Sequence, residues 1–176
     1  MPAWIPVPGT TTGRLVESAL AQFGAHGFGP VAVSSLAAQA GVTTGSLYHH
    51  FGSKAGLYRV VRTDVERRVL DRFEGAAAAR PVRSVSALAP VIAAGFDYLV
   101  GDGLTRLLAE PSPAGADDGA VDEIEQILGR LLGEDGAALG YLIAAAWRAA
   151  LWRAAESPEA AAMARTGLVQ LLGGTQ

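Results

Sequence analysis

The sequence predicts an all-α chain: an N-terminal three-helix unit of helix-turn-helix form, followed by a second, wholly helical domain. Three observations carry that prediction. Apolar residues recur every three to four positions through most of the 176 residues, as helices with one buried face require. No segment alternates apolar and polar residues for long enough to argue for a strand. Between Ala32 and Tyr58, a glycine and two hydroxyl residues divide the periodicity into short helices that start separately.

Met1 to Gly13 holds three prolines and Trp4 and is expected to be an irregular arm. It lacks a basic start and a long apolar run, so no signal peptide is read there. A first helix is expected from Thr11 to Ala25, with Leu15, Val16, Ala19, Leu20 and Phe23 facing the core and Gly24 and Gly27 ending it. Arg14, near its start, can touch a phosphate or stay solvated.

The second helix begins near Val33, where Ala32 occupies the cap position. Loss of a hydroxyl cap costs about 0.5 to 2 kcal/mol, unless Ser34 or Ser35 caps a later start. Gly41 breaks this helix. Thr43 is placed to cap the third, in which Leu47 and Phe51 point inward four residues apart and Thr44, Gly45, Tyr48 and His49 point outward. Such a polar, small and aromatic outer face can enter a DNA major groove.

Ser53 caps a fourth helix from Lys54 to about Phe73. Its partner for a reciprocal capping box would be residue 56, a glycine, so the box is absent. Leu57, Val61, Val65 and Val69 recur every four residues, with Arg59, Arg62, Arg67, Arg68 and Arg72 on other faces. Gly75 to Pro81 marks a boundary. Beyond it, helices are expected over Ser84 to Val100, Leu104 to Ala109, Val121 to Leu132, Asp135 to Ala155 and Pro158 to Leu172. Pro111 to Gly119 is expected as a loop. The acids that follow it, Asp122, Glu123 and Glu125 among them, suit a first helical turn better than a calcium loop, whose central-glycine spacing they lack. The domains expected are residues 10–56, extended by the linking helix 54–73, and residues 76–176.

Composition narrows the function. Half of the residues are hydrophobic, enough for a substantial core, and there is no cysteine, which rules out disulfides, a thiolate nucleophile and thiolate-bound metal. The apolar run Ala137 to Trp152 is too short to span about 30 Å of bilayer and contains Arg148, so a buried helix is expected and no membrane. The net charge of -3 is unevenly spread: residues 1–72 carry seven basic and four acidic side chains, the rest seven and thirteen. A positive N-terminal part suits a polyanionic partner, although Lys54 is the chain's single lysine. Ser46 and His50 share a face but have no orienting acid, and the adjacent His49 and His50 cannot chelate one metal as a pair four apart would. No enzyme activity, metal or cofactor is expected.

The run G-V-T-T-G-S-L-Y-H-H-F-G-S-K from Gly41 to Lys54, with the helix end at Phe23 to Gly27 upstream, resembles the DNA-binding domain of the TetR family of transcriptional regulators. The likeness covers about sixty residues, from Thr11 to Leu70. It implies that Thr43, Thr44, Gly45, Ser46, Tyr48, His49 and Lys54 form the DNA-binding surface: Tyr48 and Lys54 on the phosphate backbone, Thr44, Gly45, Ser46 and His49 toward base edges. It also implies a second domain that binds a small effector and dimerises through its last two helices.

Phe96, Tyr98, Leu99, Tyr141 and Trp147 are candidates for lining an effector cavity, with Trp152 beside them, although aromatic residues at helical spacing are more often plain core. Few charges interrupt these helices, so an apolar or amphipathic effector is expected. Gly136, Gly140 and Ala144, four apart, and the apolar face that includes Leu168 and Leu171 are candidates for the dimer interface. The function implied is a cytoplasmic, homodimeric repressor of a palindromic operator in double-stranded DNA, relieved by a small molecule. Alternatives are an activator, a regulator without effector, and a helical small-molecule-binding protein whose DNA-binding motif is vestigial.

Overall fold

Helix follows helix from Thr11 onward, and most of the longer helices start at a local side-chain cap. The structure is a computed structural model and describes residues 7, 9–110, 112, 122–133 and 136–173. Trp4, nearly all of the loop expected at Pro111 to Gly119, and the helix start expected at Asp135 lie outside the described residues. The elements are α1 (Thr11–His26), α2 (Val33–Gln39), α3 (Thr44–Phe51), α4 (Lys54–Ala79), a 3-10 turn (Val85–Leu88), α5 (Ala89–Gly101), α6 (Thr105–Ala109), α7 (Glu123–Leu132), α8 (Gly136–Ala154) and α9 (Pro158–Leu171). No strand occurs among the described residues.

Thr10, Thr43, Ser53 and Ser157 each accept the N–H of the residue three positions on, and Asp122 accepts those of Ile124 and Glu125. Ala32 leaves α2 without a side-chain cap, as its residue type dictates. Glu123 and Glu125 sit in the first turn of α7, where acids complement the helix dipole.

Two boundaries differ from expectation. α4 runs through Gly75 to Ala79, because the alanines that follow are the strongest helix formers and outweigh one glycine. It ends at Arg80, held extended by the following Pro81. The helix expected over Ser84 to Val100 is instead a 3-10 turn followed by α5, with Pro90 in the first turn of α5, where its missing N–H is harmless.

α1, α2 and α3 close over the start of α4 through Leu15, Phe23, Leu36, Leu47, Leu57 and Tyr58, all fully buried. The same face of α4 continues through Val61, Val65, Val69 and Phe73 into the second half, so one buried cluster extends from Leu15 to Leu172. Close approach of a neighbouring element explains two glycines of this seam. A Cβ on Gly24 would lie 2.5 Å from the Gly103 carbonyl oxygen, and one on Gly95 would lie 2.5 Å from the Phe73 ring. α1 therefore rests directly on the α5–α6 turn, and α5 directly on α4.

The small residues of α8 have a different role from the one expected. Gly136, Gly140 and Ala144 are buried within the chain, against α7. A Cβ on Gly140 would fall 2.6 Å from both the Glu125 carbonyl oxygen and the Gly129 nitrogen. The assignment of these three residues to the dimer interface is therefore corrected: glycine at this spacing lets two backbones approach, and here both belong to one subunit. Leu168 is likewise buried in the chain's own core. The run Ala137 to Trp152, expected as a buried helix, buries only its inner face and leaves Leu139, Tyr141, Leu142 and Trp152 exposed. Among the described residues no helix is long and apolar enough to cross a membrane.

Candidate nucleic-acid interface

α3 is fixed from beneath by Leu47, which is fully buried, and from its start by Thr43, whose hydroxyl accepts the Ser46 N–H at 3.2 Å. The Ser46 hydroxyl lies 3.1 Å from the Thr43 hydroxyl. At its other end Gly52 adopts a φ of 72° and returns its N–H to the Tyr48 carbonyl, a left-handed closure natural to glycine. Between these ties, Thr43, Thr44, Gly45, Tyr48, His49 and His50 are exposed together on one surface. The His49 and His50 rings meet edge to face, 5.0 Å between centroids.

Gly45 is the informative residue on this face. A Cβ there would meet only the Thr43 hydroxyl, at 3.6 Å, so nothing inside the protein excludes a side chain. Glycine within a helix costs about 1 kcal/mol relative to alanine. The flat patch it leaves, beside the exposed phenol of Tyr48, admits close approach of something outside the chain.

Lys54 departs from its expected place. Its ammonium donates to the Phe28 and Val31 carbonyls at 2.9 Å each, reaches the Gly29 carbonyl at 3.5 Å, and sits 4.1 Å from the centre of the Phe28 ring. Burial lowers its pKa. With three donor hydrogens directed to three carbonyls, this side chain ties the α1–α2 connection to the start of α4 rather than extending outward beside the exposed face of α3. Arg14 is also engaged, donating to the Ala40 carbonyl at 2.9 Å and the Gly9 carbonyl at 3.1 Å.

Sequence reading missed the joint behind this surface. The Glu110 carboxylate, at the end of α6, accepts the Phe28 N–H at 3.2 Å. Arg62 donates to the Leu107 and Glu110 carbonyls, and the Tyr58 hydroxyl donates to the Leu107 carbonyl at 3.2 Å. Burial raises the Tyr58 pKa, against the pull of Arg62. Phe28 packs on Phe23 and Tyr58 with centroids 6.0 and 5.1 Å away. The hydrogen-bonded partners lie 45 to 82 residues apart in sequence, so no local pattern announces them.

The effector candidates are not gathered around one space. Phe96, Leu99 and Trp147 are buried core, with the Trp147 indole N–H on the Ile92 carbonyl at 3.1 Å and its ring edge-on to Phe73. Tyr98 is half-buried beneath the Arg72 guanidinium, 3.5 Å from the ring centre. Tyr141 is 58% exposed and faces away from that core, so its place in an effector cavity is corrected: it lies on the outer side of α8. An open cleft of about 450 Å³ lies instead between α7 and the start of α8, lined by Asp122, Glu125, Gln126, Gly129, Arg130, Gly133 and Ala137. None of the five candidates lines it.

The profile of the family described as "Bacterial regulatory proteins, tetR family" matches residues 15–61. The HTH-type transcriptional regulatory protein RaaS of Mycobacterium tuberculosis (strain ATCC 25618 / H37Rv) is 50% identical over 48 residues, which are 27% of this chain and 22% of that protein. The chain therefore matches less than a quarter of that relative's length. Among solved structures, the fatty acid degradation regulator FadR from Bacillus halodurans superimposes with a TM-score of 0.69 at 16% identity, covering 94% of this chain and 96% of that one. A tetR family transcription regulator from Shewanella sp. PV-4 gives 0.65 at 20% identity, covering 93% and 96%. A gamma-butyrolactone receptor described as ArpA-like gives 0.56 at 19%, covering 93% and 94%. At such identities the structures establish the shared fold, while the profile's match at residues 15–61 takes in the exposed helix-turn-helix and the helices that flank it. Residues 15–61 thus match the DNA-binding domain of the tetR family of bacterial regulatory proteins, and the chain as a whole shares the fold of the solved regulators named above.

Proposed function

We propose that the chain is a dimeric transcriptional regulator that inserts α3 of each subunit into a major groove. The observation that carries this is the exposed face of α3, where Gly45 weakens the helix without easing any internal contact. Thr44, Gly45, Ser46 and His49 are the base-reading residues, and the Tyr48 hydroxyl takes a phosphate. Residues 10–56 form the reading head, α4 links it onward, and residues 76–176 form the regulatory and dimerising part.

The surface offered for pairing is the outer face of α8 and α9. Leu139, Leu142 and Ala149 on α8 and Met163, Gly167 and Leu171 on α9 are exposed and almost wholly apolar. Two-fold pairing there presents two reading helices to a palindromic site with half-sites about 34 to 36 Å apart, or a multiple of it. Repression relieved by a small apolar or amphipathic effector is the mode proposed. Two structures of the same fold, described as a gamma-butyrolactone receptor and a fatty acid degradation regulator, support that ligand class. Full burial of the Phe96, Leu99 and Trp147 side chains favours a second reading, a regulator that answers to no ligand.

Selection of duplexes from a random pool, followed by titration at several salt concentrations, tests the proposal. Tyr48→Phe should weaken selected and scrambled duplexes alike, by roughly three- to tenfold, whereas Thr44→Ala and His49→Ala should change which sequence is preferred. Absence of salt-dependent binding by the unmodified chain would end the DNA reading.

A further inference from the structure

The turn that joins α1 to α2 is held from two sides. From the reading-head side, Lys54 takes the carbonyls of Phe28, Gly29 and Val31. From the other, Glu110, the residue that closes α6, takes the Phe28 N–H on one carboxylate oxygen while Arg106 lies 3.6 Å from the other. The fit is close: Gly27, with a φ of 75°, has no Cβ, and a Cβ there would fall on the Glu110 carboxylate. This glycine thus satisfies both a left-handed backbone and a carboxylate seated against it.

We propose that Glu110 is a positioning residue for DNA recognition, latching the end of α6 to the α1–α2 turn and so fixing the angle at which the reading head is presented. This inference rests on the DNA-binding reading above. The physical case is one of leverage and scarcity. α6 makes its other contacts with α1, α4, α5 and above all α8, which carries the proposed dimer face. The carboxylate is thus a polar tie from the dimerising half to the turn from which α2 and then α3 depart. A hydrogen bond to a charged acceptor is stronger and more directional than the apolar contacts around it. It selects one seating of a surface that apolar packing alone would let slide. Glu110 touches no nucleic acid in this arrangement; it acts through Phe28.

The test compares the full-length unmodified chain with Glu110→Ala and Glu110→Gln. The probes are a duplex selected by the unmodified chain from a random pool and a duplex of scrambled sequence, with amide hydrogen exchange at Phe28 read in parallel. Glu110→Ala should exchange the Phe28 amide about tenfold faster and lower the ratio of selected to scrambled affinity by about five- to tenfold, leaving the salt dependence unchanged. Glu110→Gln keeps an acceptor oxygen and should restore most of both. A chain that merely loses stability would keep the ratio of selected to scrambled affinity, leaving glutamine nothing to restore. An unchanged ratio in Glu110→Ala overturns the positioning role while leaving DNA binding intact. An unmodified chain that binds no duplex overturns both.

Discussion

At Lys54, a cation that the family resemblance assigns to the DNA backbone is directed inward. Three carbonyls of one turn and the face of Phe28 surround its ammonium, and burial depresses its pKa. Truncating it would strip the turn of its partner on the α4 side. Lys54→Ala is expected to lower the free energy of unfolding by about 1 to 3 kcal/mol, read as a lower urea midpoint with unchanged slope. An unchanged midpoint accompanied by a shallower salt dependence of DNA binding would restore the lysine to a phosphate. Glu66, on α4, offers a second measurement. Burial raises its carboxyl above the ordinary range, ahead of the lowering by Arg62, the further raising by Asp122 and Glu123, and the lowering by Arg148. The folded chain then keeps a proton that the unfolded chain has released, so stability falls as pH rises from the ordinary carboxylate range through the raised value. Glu66→Gln should therefore melt higher than the unmodified chain at neutral pH and equally below that range. An equal gain at both pH values would refute the assignment.

Among the elements, the contact of α7 with α8 is sensitive to a single methyl. Gly140→Ala places a carbon where the backbone of Gly129 already lies, and backbone yields less readily than a side chain. The expected cost is about 1 to 3 kcal/mol, seen as a lower melting temperature, with the sedimentation of the folded protein unchanged. Loss of the dimer without loss of melting temperature would return Gly140 to an intersubunit role. This pair also shows what a sequence can and cannot disclose. Caps such as Thr43 and Ser53 act within three residues, so the starts of α3 and α4 were legible. A four-residue spacing of glycines announces close helix packing but is identical for a neighbour in the same chain and one in another. The Phe28 to Glu110 bond spans 82 residues and pairs an N–H that every residue but proline has with a carboxylate among many. Nothing in its local sequence distinguishes it. Gly75 reads as a stop that would end α4 near Phe73, whereas helix propensity is summed over a turn and the alanines dominate.

For the whole molecule, the division of labour follows from which faces remain open. The inner faces of α8 and α9 close the subunit, and their outer faces leave Met163 70% exposed, Leu171 67% and Leu142 59%. Large apolar side chains so exposed on adjoining helices are costly to leave in water, and a second copy offers the same surface in return. Leu142→Glu combined with Met163→Glu is expected to convert the dimer to a monomer in sedimentation equilibrium and to abolish the dependence of melting temperature on protein concentration. A monomeric unmodified chain would end the dimer proposal. The positive excess of residues 1–72 and the acidic remainder then give the pair one cationic end and one anionic end. The buried indole of Trp147 adds a property of a different kind. It is edge-on to Phe73 of α4 and bonded to the Ile92 carbonyl of α5, so it stands where three helices meet, while Trp152 lies half in water near Arg106. The chain thus carries a native fluorophore at that meeting point, emitting at shorter wavelength than its exposed counterpart, and any spreading of α4 from α8 is written in the colour and quenching of its own light.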